Sequence, residues 1–162
     1  MMEPTMPKIT PFLWFDTQAE EAAKFYVSVF NNSKILETTY YGEGSSKPAG
    51  TVLTVEFELD GTRFLALNGG PHFQFSEATS FSIDCKSQDE IDYYWDKLTA
   101  GGGGPLKGGW LKDRFGVSWQ VVPDMMPRLL QDPDRAKASR AMKAMLKMKK
   151  IVIADIEAAA NG

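Results

Sequence analysis

The sequence predicts an α+β fold of two similar modules, each reading strand, helix, three strands, with a helical tail behind them. Three observations predict it. The order of strand-like and helix-like segments runs through residues 7–70 and again, with shorter strands, through 78–123. The two helical segments carry matched aromatic pairs, Phe25 with Tyr26 and Tyr94 with Trp95. Each module ends in a turn glycine and an apolar strand, Gly61 before "TRFLAL" and Gly116 before "VSWQVV". An approximate duplication of a βαβββ unit accounts for all three.

Each element has its own signal. "KITPFLWF" (8–15) is rich in aromatic and β-favouring residues, and Pro11 suits an edge position or a bulge. Asp16 or Thr17 can cap the helix "QAEEAAKFYVSVF", with Glu20 and Glu21 at its positive end. Ala22, Phe25, Tyr26, Val29 and Phe30 form its apolar stripe. Three strands follow at 34–41, 51–60 and 62–68. The middle one alternates strictly, and Asp60-Gly61 after it is a hairpin signal. In the second module "TSFSIDCK" (79–86) is a strand. Ser87 with Glu90 opens a helix over 87–100 as a capping box. The run "GGGGP" ends that helix, and short strands near 106–112 and 117–123 complete the module. The tail, 124–162, reads as an amphipathic helix capped by Asp132 with Pro133 at its first position. Ala138, Ala141, Met142, Met145 and Met148 or Val152 form its stripe.

Composition narrows the function classes. Net charge is −3, with 10 Lys/Arg against 16 Asp/Glu in residues 1–123 and 8 against 5 in 124–162. The body is acidic and offers nucleic acid no basic face. No apolar run is long enough to cross a bilayer. The N-terminus lacks the layout of a signal peptide, and a single cysteine, Cys85, suits a reducing compartment. The expected location is the cytoplasm, with no membrane partner. The tail's basic face could meet a membrane or a protein. Its methionine-rich stripe and lack of aromatic anchors favour docking on the body or across a dimer.

"KDRFGVSWQVVP" (112–123) places an amide, Gln120, in the middle of an apolar strand. A buried amide needs partners for one acceptor and two donors. His72, in "NGGPHFQF", is the only histidine, so a His-rich metal site is excluded. It reads as a loop residue or as an acid or base at a cleft mouth. Cys85 shares its strand face with Phe81 and Ile83 and reads as a small buried hydrophobe. "GGGGPLKGG" lacks the Lys-Ser/Thr ending of a phosphate loop and follows a helix, so it is a connection.

With "ITPFLWFDTQAEEAAKFYVSVF", "LNGGPHFQFSEATSFSIDC", "YYWDKL" and "GWLKDRFGVSWQVVP" in this order, the chain resembles the vicinal oxygen chelate superfamily of glyoxalase I, extradiol dioxygenases and bleomycin-resistance proteins. More narrowly it resembles the PhnB-like branch, some members of which are labelled demethylubiquinone methyltransferases. The resemblance covers residues 7 to about 160. It implies a curled mixed sheet around a cleft, and homodimers. Metal-using relatives carry His and Glu ligands at positions that the resemblance puts at Thr10, Asn68, Ser80 and Gln120, none of them a strong ligand for a transition metal. The expectation is therefore a metal-free cleft for a small molecule, lined by those four together with Trp14, His72, Trp110 and Trp119. No cofactor is expected. The alternatives are a divalent-metal lyase or oxygenase, a methyltransferase as the label suggests, or a structural subunit. A methyltransferase is disfavoured because no strand–glycine loop–helix unit is present to hold S-adenosylmethionine.

Overall fold

At the turn of Asp60 and Gly61, two residues with positive φ (48° and 83°) join strand β3 (Val52–Leu59) to β4 (Thr62–Asn68). Leu59 lies directly across from Thr62, so this is the two-residue hairpin that Asp-Gly favours, with glycine free to take a left-handed backbone. The computed structural model describes residues 7–162. The segment read for a leader includes residues 1–6, which lie outside the described residues. Two compact units divide the chain, one ending at Gln74 and the other covering Phe75–Gly162.

In the first unit β1 (Phe12–Phe15) runs parallel to β4, and β2 (Lys34–Tyr40) runs antiparallel to β3, giving the order β1-β4-β3-β2. Helix α1 (Ala19–Val29) packs on one face of this sheet. Its buried residues are Ala19, Ala22, Ala23, Tyr26 and Val29, so Phe25 lies at the stripe's margin instead of its centre. Phe57 stacks between Tyr26 and Phe64, with ring centroids 6.2 and 5.5 Å away. Removing such a ring from a core costs about 3–5 kcal/mol. Neither Asp16 nor Thr17 caps α1. Gln18 holds the cap position without a side-chain bond, and Asn68 supplies the missing acceptor from a distant strand.

The second unit repeats the topology. Strand β5 (Ser80–Cys85) is parallel to β8 (Ser118–Pro123), which pairs with β7 (Trp110–Lys112), and the order is β5-β8-β7-β6. Helix α2 (Gln88–Thr99) covers the face carrying Cys85, Leu111, Trp119 and Val121. Ser87 caps it by accepting from the Glu90 N–H, and the Glu90 carboxylate accepts from the Lys86 N–H. Strand β6 is only Gly104–Pro105, inside the glycine run read as a connection. Two residues without an apolar pattern carry no strand signal. The duplication is thus present in full, with the second strand of the second copy nearly gone.

The tail is not one helix. Short α3 (Met126–Leu130) precedes α4 (Arg135–Lys147) and α5 (Ile153–Ala160). Asp134, not Asp132, caps α4, with its side chain accepting from the Lys137 N–H. Between α4 and α5 the chain is extended, and the Met148 and Lys149 carbonyls accept from the N–H groups of Gly108 and Gly109. Gln88 on α2 reads the same bend from the other side. Its Nε2 donates to the Ile151 carbonyl at 2.9 Å, and its Oε1 accepts from the Ile153 N–H at 2.8 Å. Ile151 is fully buried, and Lys150 pairs with Asp92 at 2.9 Å. The tail is therefore docked on the second module as part of one unit.

Candidate functional site

Alternation along β8 sorts the expected site residues. Residues 119, 121 and 123 point to the helix-covered side of the sheet and 118, 120 and 122 to the other. Gln120 therefore shares a face with Trp110, its neighbour in register on β7, and with Ser80 and Ser82 on β5. Its Nε2 donates to the Ser80 hydroxyl at 2.9 Å. Ser118, opposite Ser80, belongs to the same face and was missed in the sequence. It is 1% exposed, and its hydroxyl has no hydrogen-bond partner among the described residues. An orphaned buried hydroxyl is costly unless something not yet bound satisfies it. Ser118's spacing of two from Gln120 was the signal that could have found it. At the margin of this group Lys112 pairs with Glu77, and its hydrogen bond holds the Glu77 carboxyl below its ordinary range.

Trp119 does not join Gln120. It is 3% exposed on the helix side, its Nε1 donating to Asp113 Oδ2 at 2.9 Å. Consecutive strand residues cannot line one face, which corrects its assignment to the cleft. Asp113, also buried, accepts from the Phe115 and Val117 N–H groups through Oδ1, so it builds the "DRFG" turn. Cys85 lies on this side too, and burial, with lesser contributions from Glu90, Asp84 and Asp124, pushes its thiol up to about 12. A thiol so protonated is no nucleophile at neutral pH.

In the first unit the expected residues again divide. Asn68 faces the helix side and is 4% exposed. Its Oδ1 accepts from the Ala19 N–H at 2.8 Å, and its Nδ2 donates to the Val52 carbonyl at 3.1 Å. Both ends of its amide are engaged, in capping α1 and tying it to β3, which takes it off the cleft-lining set. Trp14 lies on the opposite face with Phe12, Leu65 and Leu67. Its indole covers Gly69, where a Cβ would come within 2.3 Å of the ring, and donates to the Gly70 carbonyl at 2.9 Å. Phe73 meets it edge-on at 4.9 Å. His72 is exposed in the same loop. Thr10 accepts from the Arg63 guanidinium at 3.1 Å, and that guanidinium also bonds Glu56. A cavity of about 350 Å³ lies here, lined by Ile9, Thr10, Pro11, Glu58 and Arg63 among others. A larger one, about 460 Å³, lies in the tail, lined by Arg128, Leu129, Lys137 and Asn161 among others and by none of the expected site residues.

A divalent metal does not fit this donor set. Thr10 already faces a guanidinium cation, Asn68 is engaged, and Ser80 and Gln120 offer neutral oxygens. Among the described residues no group of three or more His, Cys, Asp or Glu is placed to hold one. S-adenosylmethionine fits no better within the strand-to-helix junctions, since neither Asp16–Gln18 nor Lys86–Ser87 contains a glycine.

Residues 7–122 match the family model described as 3-demethylubiquinone-9 3-methyltransferase. The chain belongs to that family. A PhnB protein from Bacillus cereus, described by the same activity, is 36% identical over 72% of this chain and 99% of its own, with a TM-score of 0.66. A protein from Pseudomonas aeruginosa is 21% identical over 73% and 98%, with a TM-score of 0.60. The fosfomycin resistance protein FosX from Listeria monocytogenes, solved with Mn(II) and sulfate, is 14% identical over 80% and 98%, with a TM-score of 0.53. The last two show the fold alone. No curated protein matches. The family match stops at 122, short of the reach to about 160 expected from sequence, so the helical tail lies beyond it.

Proposed function

We propose that this PhnB-like chain binds a small neutral molecule, without a metal, on the face of the second module that carries Gln120. The observation that supports this reading is the Ser118 hydroxyl, buried without a partner beside the Ser80–Gln120 hydrogen bond. A ligand with a carbonyl, hydroxyl or amide would give Ser118 an acceptor and Gln120 Oε1 a donor, and a planar part would suit Trp110. The chain works as a homodimer in the cytoplasm under this reading. Among the described residues no helix is long and apolar enough to cross a membrane.

Native mass spectrometry of untagged protein drawn directly from cell extract tests the ligand. A bound small mass on the wild type that is lost in Gln120→Leu and Ser118→Val supports the reading. A wild type with no bound mass, and no thermal shift across a library of neutral hydroxy and carbonyl compounds, overturns it. Elemental analysis after exposure to manganese, iron, nickel and zinc, then exhaustive dialysis, tests the other half. Near-stoichiometric metal would overturn the metal-free site and restore lyase or oxygenase chemistry.

A further inference from the structure

The cavity of about 460 Å³ in the tail takes its lining from the helices and their connections, not from a sheet. Its size suits a small molecule, and it lies beyond residue 122, where the family match ends. Two arginines tie its walls together. Arg135 donates to the Leu130 and Asp132 carbonyls at 3.2 and 3.0 Å, closing the corner between α3 and α4. Arg140 on α4 donates to the Ala160 carbonyl at 2.7 Å, fixing the end of α5.

Four charged side chains line the cavity, two of each sign. Lys137 and Asp132 answer each other at 3.8 Å, and Asp132 also accepts from the Asp134 N–H at 2.9 Å. The Arg128 and Glu157 side chains have no hydrogen-bond or ion-pair partner among the described residues. Glu157 also stands against local preference. It lies in the last turn of α5, at the negative end of the helix dipole, and that turn holds no basic residue. Arg140 serves the backbone carbonyls there, not this carboxylate. One unanswered cation and one unanswered anion thus line the same cavity, beside an apolar wall of Met125, Leu129 and Ala160.

We propose that this cavity is a second binding site, for a small zwitterion with an apolar side chain, the class of an apolar amino acid. Arg128 takes the carboxylate through its fork of N–H donors. Glu157, at the carbonyl end of α5, takes the ammonium, and the side chain lies on Met125 and Leu129. A simple anion would leave Glu157 unanswered, and a simple cation would leave Arg128 so. The site is separate from the Gln120 face and does not rest on the reading of that face.

Calorimetric titration of the full chain with L-leucine, leucinamide and 4-methylpentanoate tests it. Leucinamide lacks the carboxylate and 4-methylpentanoate lacks the ammonium, so each should bind about tenfold more weakly than leucine. Arg128→Met should reduce leucine to the affinity of leucinamide, and Glu157→Gln should reduce it to that of 4-methylpentanoate. Both positions are exposed, so melting curves should match the wild type. Gln120→Leu should leave leucine binding unchanged, whatever becomes of the other face. A wild type that gives no heat with millimolar leucine overturns the proposal. A half-charged relative that binds as tightly as leucine overturns the zwitterion. Leucine binding that survives both tail variants, or that is lost in Gln120→Leu, overturns this cavity as its place.

Discussion

Asn68 supplies what the sequence next to α1 does not. Four N–H groups at a helix start lack internal partners, and a nearby Ser, Thr or Asp usually satisfies one. Here the acceptor comes from 49 positions away, and the same side chain ties down β3 through Val52. Asn68→Ala should cost about 1–2 kcal/mol, since it removes a cap and leaves the buried Ala19 N–H unpaired. Chemical denaturation would show it as a lower midpoint at unchanged slope, and an unchanged midpoint would mean that Asn68 carries no such load. This role could not be read in the sequence, because a long-range cap leaves no local pattern. The face that Gln120 takes could be read, because alternation along the apolar strand 117–123 sets it opposite Trp119 and Val121. Ser118 was within reach of the same alternation, and Trp119 was placed by ignoring it.

Helices α1 and α2 were legible because their apolar spacing and first-turn acids agree with where they pack. The boundary between α4 and α5 was not. "MKKIV" contains no glycine or proline, and the break comes from pairing with Gly108 and Gly109 and from the Gln88 clasp. Tertiary contacts overrode local preference there. The clasp also predicts a pH dependence. The hydrogen bond from Lys150, then that from Gln88, holds the Asp92 carboxyl below its ordinary range. A group whose folded pKa is depressed contributes stability above its unfolded pKa, near pH ~4, and loses it as pH falls through the folded value. Asp92→Asn should therefore lower the melting temperature at neutral pH, and the gap to wild type should close in acid. A gap that persisted well below pH ~3 would show that the pair is not its source.

Across the whole molecule, fold and charge divide differently. The fold repeats, with strand order β1-β4-β3-β2 matched by β5-β8-β7-β6. The charge does not repeat. Sixteen acids against ten bases in residues 1–123 leave −6, and the tail returns +3. Ending the chain at 123 should more than double its charge-to-size ratio, and so raise its electrophoretic mobility at neutral pH, because the net charge goes from −3 to −6 on a shorter chain. It should also lower the melting temperature, because the site that buries Ile151 would be opened to water. A shortened chain that melts with the wild type would show that the tail's docking adds nothing to stability.

The Gln88 clasp has a consequence for how the chain tolerates being cut. One amide and two glycine N–H groups hold the bend at 148–153 without help from the stretch between α3 and α4. A protease nick at Gln131–Pro133 should leave both fragments together through gel filtration. The separated piece, residues 135–162, should then complement a chain ending at 130 when the two are expressed apart, so that this fold is a natural split protein.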